Sequence, residues 1–353
     1  MTTTTLVPGR PRFGRGRLTL VWRPRLVAVD VALLVLVFLL VCLNVGQGDY
    51  PISVPDVAGA ILGGGNEAEQ FIVWNLRLPR SVVGLLVGAG FGMSGAIWQS
   101  ITRNPLASPD LLGITAGAGA GAVAVIVFGS TAVLGTTIGV PAAAMAGGLL
   151  TGVAIYLLAW RRGIEGFRLV LIGVAVNGIL IALTNWMLVI GEIWDAQEAT
   201  VWLNGSLTGR DWGDALPAAI ALGAIGTVAL ASTFQLSALK LGDDTARALG
   251  VRVQLSQAVL LIASVLLAAM CVTAAGPIGF IAFVAPQVAL RIARTPGPPL
   301  LASALTGAAL VVGSDYVARV LLPTELPVGI VTTAIGGPFL MYLIIRTNRR
   351  LSR

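Results

Sequence analysis

The stretch LVAVDVALLVLVFLLVCLN, residues 26–44, decides the class of fold. It contains one charged side chain, Asp30. A helix needs about 20 mostly apolar residues to cross the hydrocarbon core of a bilayer, so this stretch predicts a membrane span. An Arg-rich segment precedes it, as in a signal peptide, but the apolar core is too long for a typical signal and the segment VGQG at 45–48 offers no small-x-small cleavage site. We therefore expect a retained helix.

The composition of the whole chain indicates a polytopic membrane protein. Of its 353 residues, 56% are apolar and 11% are charged, with a mean hydropathy of +0.89. A soluble domain carries about 25% charged residues, so this chain has too few to cover a water-facing surface. The chain has no histidine, which excludes His-dependent triads and HExxH zinc sites. Cys42 and Cys271 lie in separate apolar runs and are expected to be small core side chains.

Nine further segments meet the same length and hydropathy test, which predicts an all-α fold of ten transmembrane helices. The ten predicted spans are 26–44, 78–100, 111–129, 133–160, 169–190, 215–236, 256–275, 278–293, 300–321 and 327–346. They form one transmembrane domain, 26–346, between an Arg-rich tail at 1–25 and a short tail at 347–353.

The distribution of basic residues sets the orientation. With ten spans, both termini share one side, and that side holds 19 of the 23 Lys and Arg residues. The remaining four are Arg77, Arg80, Arg210 and Arg319. Cytoplasmic loops carry the basic excess, so both tails are predicted to be cytoplasmic.

Asp30 and Asp315 are the acidic residues that fall within the predicted spans. Intramembrane carboxylates mark functional sites by default, but both have a structural explanation here. Asp30 lies one turn inside the basic tail, and Asp315 precedes Arg319 by four residues, a spacing suited to an ion pair. The spans therefore lack the ionisable groups of an ion-coupled carrier or the paired carboxylates of an intramembrane protease, and energy for uphill transport is expected from a partner.

Small and neutral polar residues mark two helix faces. Glycines at 84, 88 and 92, and again at 113, 117 and 121, predict close helix packing. The fifth span carries a mildly polar stripe, which either lines a pathway for a large solute or bonds helices together. The stripe consists of Asn177, Ile181, Thr184, Asn185 and Leu188.

The predicted inner loop 237–256 contains a short helix. Asp243 is a good N-cap, Asp244 and Thr245 suit the first turn, and Gly250 suits the C′ position. A helix of about two turns is marginal in water, so it needs a surface to pack on. That surface is either the chain's own inner loops or a cytoplasmic subunit.

Arginines lie at the predicted outer face, where the positive-inside rule predicts few basic residues. Arg77 and Arg80 flank the start of the second span, and Arg319 lies near the end of the ninth. Guanidinium groups pair bidentately with carboxylates, so these arginines invite an acidic partner. Lipid headgroups, or Asp315 for Arg319, are the competing partners.

The motifs resemble the permease subunits of type II bacterial ABC importers, the FecCD or BtuC-like family that takes up ferric siderophores, haem and cobalamin. The matching segments run in the family's order over almost the whole chain. They are RLPR at 77–80, GAIWQS at 95–100, RNPLASPDLLG at 103–113, GDDTARALG at 242–250, AGPIGF at 275–280 and LPVGIVT at 326–332.

This resemblance implies a BtuC-like fold of ten helices in the cytoplasmic membrane, a second permease subunit, two cytoplasmic ATPases that bind ATP and Mg, and an extracytoplasmic binding protein. No cofactor is implied for this chain, which has no GxxxxGK[ST] loop. The implied ATPase-coupling residues are Gly242, Asp243, Asp244, Ala246, Arg247, Leu249 and Gly250. The implied docking residues are Arg77, Arg80 and Arg319, and Asn177, Thr184, Asn185, Asn204 and Ser206 are the implied path residues.

Within the family, the segment WRRGIEGFR at 160–168 and the GDDT loop are most similar to ferric-catecholate, enterobactin-type permeases, which work as heterodimers. Cobalamin and haem importers are the alternatives, and an ion-coupled carrier is the alternative from another class. One residue departs from many relatives: Gln287 stands where they carry histidine, and it keeps hydrogen bonding without titration.

Overall fold

The computed structural model describes residues 12–13, 20–21, 23–48, 50–61, 63–64, 66–129, 139–160 and 165–351. Most of the predicted N-terminal tail, residues 133–138 of the fourth predicted span, and residues 161–164 of the siderophore-type segment lie outside the described residues.

Fifteen α-helices occur in this part of the chain. They are α1 (Pro24–Gly46), α2 (Val54–Ile61), α3 (Glu67–Phe71), α4 (Leu78–Ile101), α5 (Ile114–Phe128), α6 (Val140–Ala159), α7 (Gly166–Ile190), α8 (Ile193–Leu203), α9 (Trp212–Ala231), α10 (Thr233–Leu239), α11 (Asp243–Ala248), α12 (Val253–Ala275), α13 (Ile281–Ala293), α14 (Leu300–Tyr316) and α15 (Val328–Leu351). Two two-residue strands, β1 (Arg12–Phe13) and β2 (Leu20–Val21), pair antiparallel ahead of them.

The prediction of about ten membrane helices is confirmed. Seven described helices are long and apolar enough to cross a bilayer, and three shorter apolar ones, α5, α13 and the first part of α15, complete the set. The second predicted span is longer than expected, because α3 continues through a π-helical turn, Ile72–Arg77, into α4 as one helix of 35 residues. Helices α2, α8, α10 and α11 are short connecting helices.

Helix α4 forms the centre of the bundle. Most of its side chains are buried, whereas most of those of α1 and α7 are not, and these two helices lie at the periphery. Gly88 of α4 faces Gly307 of α14, where an added Cβ would come within 2.7 Å of the Ala308 Cα. Gly117 and Gly121 of α5 face α6 in the same way. The glycine rows therefore pack helices closely, as predicted.

One of the two intramembrane carboxylates is arranged differently from the prediction. Asp315 does not pair with Arg319; it binds Arg80 of α4 at 2.8 Å, because α4 and α14 pack side by side over their lengths. Arg25 donates to the Ile292 carbonyl, and most of the basic tail that Asp30 is predicted to face lies outside the described residues. Cys42 and Cys271 are free thiols, and Cys271 is buried, as expected.

Candidate functional site

A cavity of about 550 Å³ lies where α5, α7, α8 and α15 approach one another. Its wall combines apolar side chains and glycines with a smaller polar area of amides, hydroxyls and one carboxyl group. It is lined by Asp110, Thr115, Ala116, Gly119, Asn177, Ile181, Thr184, Asn185, Leu203, Asn204, Pro277, Gly279, Gly329, Ile330 and Thr333. A space of this size with a few polar groups is typical of a binding site for a small organic ligand.

Four of the five predicted path residues line this cavity. Asn177, Thr184 and Asn185 contribute the polar face of α7, and Asn204 follows the end of α8. Ser206 is not among the lining residues; its backbone N–H donates to the Ala275 carbonyl at 2.8 Å and ties the loop after α8 to α12. Leu188 also points away from the cavity and packs in a separate apolar cluster.

Two glycines position the cavity wall. Gly113 precedes α5 with φ +89°, and a Cβ there would lie 3.1 Å from the Asn177 Cα. Gly329, the second residue of α15, lies against the backbone of Asn204, where a Cβ would lie 3.0 Å from the carbonyl carbon. Each position therefore requires glycine, the first for its left-handed conformation and both for close approach.

Asp110 is the one charged residue among the described lining residues, and it is not among the predicted path residues. It stands one residue before the third predicted span, within the segment RNPLASPDLLG. Its Oδ1 accepts a hydrogen bond from the Thr115 hydroxyl at 2.8 Å. The Asp-x₄-Thr spacing across a helix start is a visible signal, but only the fold shows that this turn reaches the cavity.

The inner helix α11 differs from the prediction at its start. Gly242, with φ +106°, occupies the N-cap position and Asp243 is the first helical residue. The Asp243 carboxylate is used elsewhere, in an ion pair with Arg103, whose Nε also donates to the Leu239 carbonyl at 3.0 Å. Gly250 has φ +82° and donates to the Arg247 carbonyl, so it takes the C′ position as predicted.

The predicted coupling residues separate into two groups. Ala246 is fully buried on the packed face of α11, where it supports the helix. Asp244 is almost wholly exposed and forms an i,i+3 pair with Arg247, and Leu249 is 51% exposed. Helix α11 thus packs on the chain's own inner loops through one face and exposes another.

The outer arginine Arg80 joins three elements. Besides Asp315 on α14, it binds Glu325 in the loop before α15, with Nη1 and Oε1 2.7 Å apart. The Thr208 hydroxyl, in the loop after α8, donates to the same glutamate oxygen at 3.1 Å. Burial raises the pKa of Glu325, but the hydrogen bond and charge of Arg80, with Thr208 and Arg319, outweigh it, and the pKa lies below its ordinary value.

Arg77 and Arg319 bind the last turn of α1, and Arg77 also binds the segment after it. Arg77 is 8% exposed and donates to the carbonyls of Val45 and Tyr50. Arg319 donates to the backbone carbonyl and side-chain oxygen of Asn44. All three predicted docking arginines therefore make bonds within the chain.

Gln287 bridges α13 and α4 through a buried chain of hydrogen bonds. Its amide donates to Gln99 Oε1 at 2.6 Å, and the Gln99 amide donates to the Phe283 carbonyl at 3.1 Å. Arg291 donates to the Gln287 carbonyl at 2.7 Å. The residue that departs from many relatives thus has a packing role. Within the described ranges, no three Cys, Asp or Glu side chains are grouped to hold a metal ion.

Known transport proteins resemble this chain over most of its length. A family model described as the FecCD transport family matches residues 34–346. The ferric enterobactin transport system permease protein FepG of Escherichia coli is 40% identical over 308 residues, covering 86% of this chain and 91% of its own. The cobalamin import system permease protein BtuC of Halobacterium salinarum is also 40% identical, over 84% of this chain and 79% of its own.

The solved structures give the same result for the fold. An inward-facing conformation of a metal-chelate type ABC transporter superposes with a TM-score of 0.77 at 27% identity, covering 91% of this chain and 99% of that chain. The relatives are named as transport-system permeases, which confirms a multi-pass membrane subunit with a transport role.

Proposed function

Because the chain belongs to the FecCD transport family, a family of multi-pass permease subunits of ABC importers in the bacterial cytoplasmic membrane, we propose that it forms one side of the path for a ferric siderophore. The observation that carries this proposal is the cavity of about 550 Å³, where four of the predicted path residues meet. Its amides and hydroxyls offer hydrogen bonds without the titratable network of an ion-coupled carrier.

The proposed assembly contains a second permease subunit, a paralogue rather than a copy, together with two cytoplasmic ATPases and an extracytoplasmic binding protein. Helices α7 and α15 support the first contact, since both line the cavity and both expose apolar side chains, such as Ile179 and Met341. ATP and Mg are assigned to the ATPases. The tails at 1–25 and 347–353 are proposed to be cytoplasmic.

Helix α11 is proposed as the contact to an ATPase. The buried Ala246 and the Arg103–Asp243 ion pair fix the helix to α10 and to the turn after α4, so a push on it is transmitted to the bundle. The exposed face supplies Asp244, Arg247 and Leu249. An apolar side chain among charges is the composition expected at a protein interface.

On the outer face, docking of the binding protein is proposed to centre on Arg80. Arg77 is buried, and it and Arg319 bind backbone carbonyls, so a partner's carboxylate would have to compete with those bonds. Arg80 is also mostly buried, with 12% of its side chain exposed, but its partner Glu325 is 45% exposed. An incoming carboxylate would reach this guanidinium by displacing Glu325 from the surface side.

The test uses the complete transporter, purified and placed in proteoliposomes. We expect uptake of an iron-55 chelate that needs ATP and the binding protein.

The contact of α11 with the ATPase is tested by two variants. Leu249→Asp abolishes stimulation of the ATPase and its co-purification, whereas Leu249→Met, which keeps the apolar contact, retains both. Uptake that persists without ATP but collapses with the proton gradient would contradict the proposal, and uptake of cobalamin without ferric chelates would replace the substrate.

A further inference from the structure

A second cavity, of about 230 Å³, lies between α6 and α12 on the membrane-facing side of the bundle. Its described lining residues are apolar except for Trp98 and Tyr156. Val153 of α6 and Ile262 of α12 are more than half exposed and mark its open side, whereas Leu169 at its floor is buried. None of its described lining residues belongs to the cavity of about 550 Å³, so this space is separate from the proposed path.

Trp98 places a buried hydrogen-bond donor in this apolar wall. The residue is 2% exposed. Its indole Nε1 is buried and has no hydrogen-bond partner among the described residues. A buried donor without an acceptor is costly. An apolar ligand with a carbonyl group removes this cost, because its apolar part fills the cavity while its oxygen accepts from the indole.

The depth of the cavity corresponds to the boundary between the acyl chains and the headgroups of a bilayer. Trp98 and Tyr156 each lie three residues before the end of their helices, and Leu169 lies three residues after the start of α7. At a rise of about 1.5 Å per residue, each is about 4.5 Å from its helix end. Trp160 is 40% exposed and packs on Tyr156 with ring centroids 5.4 Å apart, an arrangement typical of a membrane–water interface. The ester carbonyls of phospholipids lie at the same level.

A cationic group lies at the headgroup level of the same site. Arg168 immediately precedes Leu169, and its Nη1 donates to the Ala159 carbonyl at the end of α6, at 3.4 Å. Its Nη2 pairs with Glu165 at 2.7 Å, and the Glu165 side chain is 64% exposed. A surface pair of this kind contributes little to stability, so a lipid phosphate can share the guanidinium.

We propose that this cavity binds one acyl chain of a phospholipid, with the ester carbonyl on Trp98 Nε1 and the phosphate beside Arg168. Boundary lipid covers any exposed apolar surface, whether its chains are joined to glycerol by ester or by ether bonds. A chain in this cavity instead meets a buried donor that an ester carbonyl satisfies, so the site distinguishes an ester from an ether. The bound chain also fills the space between α6 and α12 and supports their contact.

The experiment uses the complete transporter in nanodiscs of either diacyl or dialkyl-ether phosphatidylglycerol with chains of equal length. The probe is a trace of diacyl phosphatidylglycerol with a diazirine in one acyl chain, and mass spectrometry after irradiation locates the labelled residues. We expect labelling at the cavity to be about fivefold stronger in the ether host, because there the probe alone offers a carbonyl to Trp98. Labelling on the exposed side of α9, around Val228, should be equal in the two hosts.

Two variants test the donor and the space separately. Trp98→Phe keeps an aromatic ring and removes the donor, so the difference between the hosts should disappear. Trp186→Phe, at an exposed position of α7 outside the cavity, is its matched control and should keep the difference. Val153→Trp fills the open side and should lower labelling at the cavity several-fold in both hosts. Val228→Trp, at an exposed position of α9, is the matched control and should leave it unchanged.

The proposal fails on any of three results. Equal labelling of the wild-type cavity in the two hosts, or a difference that survives in Trp98→Phe, would exclude the hydrogen bond to the ester. Labelling spread evenly over the exposed helices would show boundary lipid alone. Should Trp98→Phe fail to fold, Val153→Trp decides, because unchanged labelling at the cavity in that variant would exclude a bound chain.

Discussion

Lys240 is the only lysine of the chain, and it lies at the end of α10 in partly buried surroundings. Its side chain runs along the backbone of Gly297, so the loop after α13 covers it. Burial, together with the smaller effect of the positive charge of Arg23, lowers the pKa of the Lys240 ammonium to about 8. A group of this kind titrates close to neutral pH, unlike an ordinary lysine.

We expect acylation of Lys240 by an amine-specific reagent to rise with a midpoint near pH 8 in the folded protein and near pH 10.5 in the denatured chain. Mass spectrometry of the peptide that contains Lys240 gives both curves and separates them from labelling of the N-terminus. The unfolded chain keeps this proton to higher pH, so the stability of the fold rises with pH between about 8 and 10.5.

Arg23→Gln provides the control, because removing the neighbouring positive charge raises the midpoint while burial still keeps it below that of the denatured chain. Coincident curves for folded and denatured protein would show that Lys240 is fully hydrated and that the loop after α13 does not cover it.

At the scale of the element, α4 depends on glycine for its contact with α14. A methyl group at Gly88 would meet the backbone at Ala308, and neither helix can yield without moving the other. We expect Gly88→Ala to destabilise the bundle by about 1–3 kcal/mol, seen as a lower midpoint of heat-induced aggregation in detergent. Gly223→Ala in α9 is the matched control, since no atom lies within 4 Å of the added carbon.

Gly223→Ala should leave stability unchanged or raise it slightly, because alanine has the higher helix propensity by about 1 kcal/mol. Equal midpoints for the two variants would mean that α4 and α14 do not touch at Gly88.

Hydropathy predicted the elements well because a bilayer imposes their length, and the glycine spacing predicted how they pack. Contacts between residues far apart along the chain could not be predicted from the sequence. Asp315 has a plausible partner four residues away, yet its partner is Arg80, 235 residues distant along the chain. The cap of α11 shows the same limit locally: Asp243 has the right chemistry for an N-cap, but Arg103 takes its carboxylate.

Only part of the candidate site could be predicted from the sequence, because the rest depends on contacts between distant residues. The stripe on α7 follows from helical periodicity alone, so Asn177, Thr184 and Asn185 were within reach of the sequence, whatever their role. Asp110 was not, because its importance depends on the turn before α5 meeting α7 and α15. The burial of Ala246, which excludes it from the exposed face of α11, likewise depends on tertiary packing.

For the whole molecule, the outer end is closed by one cluster of charges. Arg80 links α4, α14 and the loop before α15 through Asp315 and Glu325, and Thr208 adds the loop after α8. The pKa of Glu325 is below its ordinary value. The ionised side chain therefore contributes fully to the stability of this cluster at pH values above the ordinary pKa. That contribution is lost as the pH falls through the lowered pKa. Glu325→Gln therefore reproduces at neutral pH what acid does to the wild type.

We expect Glu325→Gln to speed hydrogen–deuterium exchange in the loop at 322–327 and in the loop after α8, while the centre of α4 stays protected. A partly exposed pair is worth about 0.5–1 kcal/mol, so the acceleration should be a few-fold after correction for intrinsic exchange. Glu198→Gln, on an exposed face of α8, is the control and should change neither loop. If exchange quickened only in the loop at 322–327, Thr208 would not link the two loops, and the outer end would consist of parts that open independently.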